Sequence, residues 1–261
     1  FLHSELKRLN YIRNKALFPE KDELYYKQLE ALSKKFESNE AVAEVWWHIA
    51  DFHRQKGNSY RPSPLQVNRW ELKKAIEICE RTIKMFPKSY GASHCEAMVS
   101  EIKAKSLNLE VEKVNCIQTA ILSSLSYKNL NKVHCKIIPL SDNEFEKFED
   151  SYGEDKIIFL NKRTPVHKWA VDIIDEGDFQ SHRLELKLPA LPHGLYIIVV
   201  SDKESFAHEK NGQVYASFHV SNLAYVNRQE NGIHEYFVTD RISGQPQEGV
   251  VATFYENKYN S

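Results

Sequence analysis

The sequence predicts an α+β chain of more than one domain: a helical region over 1–105, an antiparallel β-sandwich of seven to eight strands over 106–221, and the opening strands of a second, truncated β-sandwich over 222–261. Two observations carry this. Apolar residues recur every three or four positions up to about Lys105 and every second position after it. Near the end, "HEYFVTDRISGQPQEGVVATFYEN" places Tyr236 and Val238 before a Gly/Pro turn and Val250, Ala252 and Phe254 after it, the pattern of a strand, a turn and a strand. Two strands alone are marginal in water. With Phe1 rather than Met at the start, the expectation is a piece of a longer protein.

The helical half divides into four apolar faces. Tyr25, Leu29, Leu32 and Phe36 make one; Val42, Val45, Trp46, Ile49, Ala50 and His53 a second. Leu72, Ala75, Ile76, Cys79, Ile83 and Phe86 make the third, and Ala92, Cys95, Val99 and Ile102 the fourth. Pro19, Gly57, Pro62, Pro64 and Pro87 fall between these runs, where residues that cannot continue a helix belong. Asn39 and Ser89 are placed to act as N-caps.

The β half reads as "LNLEVEKV", "TAILSSLSY", "KVHCKIIPL", "KIIFL", "HKWAVDII", "HRLELKLP", "GLYIIVV" and "VYASFHV". The run "YIIVV" offers no polar position, so it is expected to be a central strand covered on both faces. A further β segment begins near Leu223.

Composition excludes several function classes. The net charge is −1 with Lys and Arg spread along the chain, so the basic stripe that displaces counterions from nucleic acid is missing. No apolar run approaches the roughly 20 residues that span a bilayer. The four cysteines, Cys79, Cys95, Cys116 and Cys135, form no C-x-x-C pair and lack zinc spacings. Cys79 and Cys95 sit in neighbouring helices and Cys116 and Cys135 in neighbouring strands; one disulfide per pair is conceivable, but small buried hydrophobes is the reading adopted.

No catalytic, cofactor-binding or metal-binding residue is assigned. His134 and Cys135, neighbours on a strand, point to opposite faces and cannot both ligate one ion, and His94 and Cys95, about 100° apart on a helix, are poorly placed to do so. His48 and His53 are five apart, not the i, i+4 pair of a helical zinc site. The acidic runs "SDNEFEKFED" (141–150) and "DIIDEGDF" (172–179) do not follow the ligand order of a calcium loop and are expected to be a solvated loop and a strand-end turn. No nucleophile elbow appears, and "ENG" and "EKNGQ" are turn signals for hairpins rather than phosphate cradles. Trp46 lies on an apolar stripe and is expected in the core. Trp47, off that stripe, and Trp70 are the candidate partner contacts.

"VWWHIADFHRQKGNSY" and "WELKKAIEICERTIKMFPKSY" resemble a tetratricopeptide helix pair through Trp46, Ile49, Ala50, Ala75, Cys79 and Pro87, although the loop between them is about a dozen residues too long for the 34-residue period. A binding solenoid and a small helical bundle both remain open. "LPALPHGLYIIVVSDK" (188–203), with Pro192, Gly194 and Tyr196, resembles the closing strands of a macroglobulin-type sandwich. "LSYKNLNKVHCKI" (125–137) resembles one of its openings, and "FHVSNLAYVNRQ" (218–229) the linker into the next domain. "YFVTDRISGQPQEGVVATFYE" resembles that domain's first hairpin, through Val238, Asp240, Gly244, Pro246, Gly249 and Val250. In this order the segments are similar to the N-terminal part of a large bacterial α2-macroglobulin-like protein.

The resemblance implies an exported protein of the periplasm or cell envelope, lipid-anchored in some forms, whose partners are proteases trapped by the longer chain. Many members hold them through a thioester made by Cys-x-Glu-Gln. Cys79-Glu80-Arg81 and Cys95-Glu96-Ala97-Met98 depart from that motif, so no active machinery is assigned. The expected role is non-catalytic scaffold and docking. The alternative is an independent envelope module whose helices bind a partner protein or glycan-handling complex.

Overall fold

The computed structural model describes residues 1–207 and 212–253. Among the described residues it is an α+β structure with seven helices and mixed and antiparallel sheets. The chain divides into two compact units: residues 1–107 with 126–132 and 172–182, and the remainder, 108–125, 133–171 and from 183 onward.

The first unit holds α1 (Leu2–Lys15), α2 (Lys21–Lys35), α3 (Val42–Asn58), α4 (Glu71–Met85) and α5 (Tyr90–Lys103). Each is amphipathic as its spacing dictates, and burial of the apolar face is what makes helices this short stable. Leu2, Leu6 and Leu9 of α1 join Tyr25 and Leu29 of α2 and Val42, Val45, Trp46, Ile49 and Phe52 of α3 in one core. Ala50, Leu72, Ala75, Ile76, Cys79, Cys95, Met98 and Ile102 make a second, between α3, α4 and α5. Ser89 caps α5, its hydroxyl accepting from Ala92 N at 3.1 Å. Asn39 acts earlier than its reading as a helix cap implies. Its Oδ1 accepts from Ala41 N at 2.9 Å, and α3 begins at Val42 behind Ala41.

Ten strands follow among the described residues, most of their residues in the second unit. These are β1 (Ser106–Val111), β2 (Val114–Asn115), β3 (Ile121–Lys128), β4 (Lys132–Leu140), β5 (His167–Asp172), β6 (His182–Leu188), β7 (Gly194–Ser201), β8 (Gln213–Val220), β9 (Leu223–Glu230) and β10 (Ile233–Asp240). One sheet runs β1-β3-β6, a second β2-β8-β7-β4-β5, and β9 pairs with β10. In the five-stranded sheet β7 is antiparallel to β4 and β8, while β2 and β8 are parallel. The uninterrupted apolar run is the central strand β7, buried from Leu195 to Ser201. Tyr196 folds back at its start: its hydroxyl donates to Pro192 O at 3.0 Å, and a Cβ on Gly194 would come within 3.2 Å of the tyrosine ring.

Three readings are corrected. "KIIFL" is not a strand but part of α7 (Glu154–Asn161). Ile157 and Leu160, three apart, are buried while Ile158 is exposed, so the period is helical. The acidic run 141–150 is not a loop but carries α6 (Asp142–Glu149), held at its start by Glu144, whose carboxylate accepts from Ser141 N and Oγ at 3.0 Å. Phe148 and Leu160 pack with Ile138, Ile197 and Val199, so these helices cover one face of the sheet. Third, the terminal hairpin is shifted. β10 pairs with β9 across the Asn231–Gly232 turn, whose φ values of 50° and 80° suit an Asn-Gly hairpin turn. Among the described residues beyond Asp240 a single isolated bridge forms, Thr239–Pro246, and Val250–Thr253 make no strand; Phe254 and, of "EKNGQ", Glu209, Lys210 and Asn211 lie outside the described residues.

Candidate functional site

Trp46 and Trp47 are consecutive on α3 and therefore point about 100° apart. Trp46 is buried beside Phe86 (5.7 Å), with the Arg81 guanidinium 4.7 Å over its ring. Trp47 is half-buried and borders the second helical core. His94 of α5 stacks on it at 4.4 Å and 26°, and Tyr90 meets His94 edge-on at 4.3 Å with most of its own ring exposed. Gly91 makes this possible: a Cβ there would lie 2.2 Å from the Ala43 backbone, so only glycine lets α5 approach α3 this closely. His48 adds a ring 4.5 Å from Trp47. Burial holds its pKa below the usual imidazole value, against the pull of Glu44 and Asp51. The result is a layered aromatic surface, with Tyr90 outermost.

Trp70 is the residue before α4 and is 45% exposed, between the Arg69 guanidinium (5.1 Å) and Lys73 (5.7 Å). α3 and α4 run antiparallel, since Gly57 lies against Leu72 while Trp46 meets Arg81. Ten residues of α3, about 15 Å, separate the level of Trp47 from that of Gly57 and the start of α4. The two tryptophans therefore stand at opposite ends of the helix pair and do not share one contact site.

A polar cleft of about 410 Å3 opens between α2, α3 and α4. In it His53 Nδ1 and Glu71 Oε2 are 2.6 Å apart, His53 Nε2 lies 3.4 Å from the Tyr26 hydroxyl, and Lys74 donates to Glu71 at 2.7 Å. Burial pushes the Glu71 carboxyl upward, but hydrogen bonds from Lys74 and His53 outweigh it and hold it below its usual value. Tyr26 moves the other way, raised by burial and then by Glu30 and Glu71. A phenol that is harder to ionise is the opposite of an activated nucleophile. The network orders the cleft. Sequence reasoning placed His53 on the α3 stripe but had no signal for its partners, which come from two other helices.

Cys79, Cys95 and Cys135 are buried and Cys116, just past β2, is half-buried; all four are free thiols. Among the described residues no group of three or more His, Cys, Asp or Glu is arranged to hold a metal ion, and no helix is long and apolar enough to cross a membrane.

No protein-family model and no curated protein matches the chain. Among solved structures it is similar to Escherichia coli α2-macroglobulin over domains MG0-NIE-MG1, at 12% identity and a TM-score of 0.38, covering 54% of this chain and 48% of that one. The chain thus matches about half the length of that structure. It is also similar to the CARDB domain of a Pyrococcus furiosus protein solved with di-metal ions, at 14% identity and a TM-score of 0.25, covering 45% of this chain and 91% of that one.

Proposed function

We propose that this chain is a non-catalytic scaffold and docking region of an exported macroglobulin-like protease inhibitor. Its helices would be a tetratricopeptide-like bundle, its main sheets a macroglobulin-type sandwich, and β9–β10 the start of another. The observation that carries the reading is the exposure of the β9–β10 hairpin. Directly opposed residues share a face, so Tyr225, Tyr236 and Val238 lie on one side and Val226 and Phe237 on the other. Tyr225, Val226, Tyr236 and Phe237 are all exposed. A two-stranded ribbon with large apolar residues on both faces is marginal alone and is built to be covered. A following β domain covers it in this reading, and the trapping chemistry belongs to the longer protein.

Hydrogen exchange on the native protein purified from its source tests this. Amides of β9 and β10 are expected to resist exchange for hours, as central strands do. Exchange within seconds would mean that the hairpin is free, which contradicts the reading.

The second reading, an independent envelope module, draws on the Trp47–His94–Tyr90 surface. Its partner protein would seat on the exposed Tyr90 ring. Crosslinking from a photoreactive residue at position 90 in intact cells distinguishes it, since only this reading expects a single crosslinked protein that Trp47→Ala abolishes.

A further inference from the structure

We propose that Cys79 and Cys95 form a dithiol pair that closes to a disulfide during oxidative folding and joins α4 to α5. The inference is independent of the docking role. α4 and α5 are consecutive and linked only by residues 86–89, so residues equally far from the connection face each other. Cys79 precedes the end of α4 at Met85, and Cys95 follows the start of α5 at Tyr90, by nearly equal lengths of helix, about 9 and 7.5 Å. Both side chains are fully buried in the same core, where Cys79 Sγ also lies 3.7 Å from Met98 Sδ. At that shared level in the core each thiol bears on the acidity of the other, raising Cys79 and lowering Cys95. Cys135 is the contrast within the chain. It is equally buried, in β4, and burial alone pushes it up to about 12.

The chemistry is thiol–disulfide exchange, with a small-molecule disulfide such as oxidised glutathione as oxidant. Before α5 docks on α4, the Cys95 thiolate attacks one sulfur of that disulfide, and half of it leaves as a thiol. The Cys79 thiolate then attacks the mixed disulfide on Cys95 and expels the second half. The two cysteines lose two electrons and two protons, and the external disulfide becomes two thiols. Once closed, the bond is shielded from reductant by the core that buries it.

The test is to unfold the whole chain in urea with reductant and refold it in a reduced/oxidised glutathione buffer. Free thiols are then alkylated under denaturing conditions and mapped by tryptic mass spectrometry. The expected product links residues 75–81 to 89–103, with Cys116 and Cys135 alkylated. The Cys95→Ser variant should alkylate at Cys79, Cys116 and Cys135. The oxidised wild type should melt roughly 5 °C above its reduced form. Four alkylated thiols in correctly refolded chain, or linkage of Cys79 or Cys95 to Cys116, overturns the proposal. Should the chain aggregate on refolding, the same alkylation map on protein secreted into an oxidising bacterial periplasm decides between these outcomes.

Discussion

Arg69 and Asp178 stand 109 residues apart in the sequence and are joined by a hydrogen bond of 2.7 Å from Nε to Oδ2. Asp178 Oδ1 also accepts from Gln180 N (3.0 Å) and lies 2.8 Å from His182 Nε2, while Gln180 Nε2 donates to the Gly57 and Arg69 carbonyls at 3.2 Å. Glu176 pairs with the same arginine. This network clasps residues 172–182 to the α3–α4 connection, so the helical unit is completed by a segment distant in the chain. The solvated turn expected for the acidic run is thus a buried anchor at Asp178, whose side chain is 2% exposed.

Arg69→Ala should therefore destabilise the protein by about 3 kcal/mol, because it leaves a buried carboxylate short of its cation. Urea unfolding at neutral pH measures this. Burial alone would raise the Asp178 pKa, but hydrogen bonds from Gln180, His182 and Arg69 overcome it and hold the group below its ordinary value of 3.8. A depressed carboxylate stabilises the fold above that value, and the gain is lost as pH falls through the folded pKa. The stability advantage of wild type over Asp178→Asn should shrink below about pH 3.8.

Gly91→Ala should cost about 3 kcal/mol or more, because the new methyl meets backbone rather than a movable side chain. The same variant should separate Trp47 from His94, read as a change in tryptophan fluorescence. An unchanged melting temperature would remove the role assigned to this close approach.

Lys136 is buried beneath α7, its Nζ donating to Asn161 Oδ1 at 2.8 Å and lying 4.4 Å over the Phe206 ring. Burial, then the charge of Lys168, lowers its pKa from 10.5 to about 8. A lysine depressed in the fold penalises the native state while charged, and the penalty disappears as pH rises from 8 to 10.5. Wild-type stability should gain up to about 3 kcal/mol relative to Lys136→Met across that window, measured by urea unfolding at matched pH. A difference that does not move with pH would contradict this.

Trp47→Ala removes a side chain packed on the core and should cost about 3 kcal/mol. Trp70→Ala, at a half-exposed site, should cost under about 1 kcal/mol. Melting temperatures of the two variants compare them directly. If both are neutral to stability, Trp47 is no part of the helical core.

The helical faces were legible because each lies within one element. Val42, Val45, Trp46 and Ile49 carry their spacing on their sleeve of sequence, and β7 declares itself by lacking a polar position. The apolar run of α7 reads as a strand because so short a stretch does not separate a strand from a helix; the burial of Ile157 and Leu160 with Ile158 exposed decides it. The start of α6 was legible in Ser141-x-x-Glu144, a capping pattern that acidic composition masked. The Asp178 clasp and the Tyr26–His53–Glu71 cleft were not legible, because their partners come from elements whose packing no local period encodes. The pairing of β9 with β10 is legible in "ENG", a hairpin turn signal that the structure bears out, while the later Gly/Pro turn carries an isolated bridge in place of a second strand pair.

Incubating the native, full-length protein with trypsin and separating the mixture by size exclusion addresses the protease-trap role most directly. The trap reading predicts trypsin co-eluting with the large protein, still cleaving a small amide substrate but no longer digesting casein. Trypsin eluting alone, with casein digestion undiminished, would contradict it.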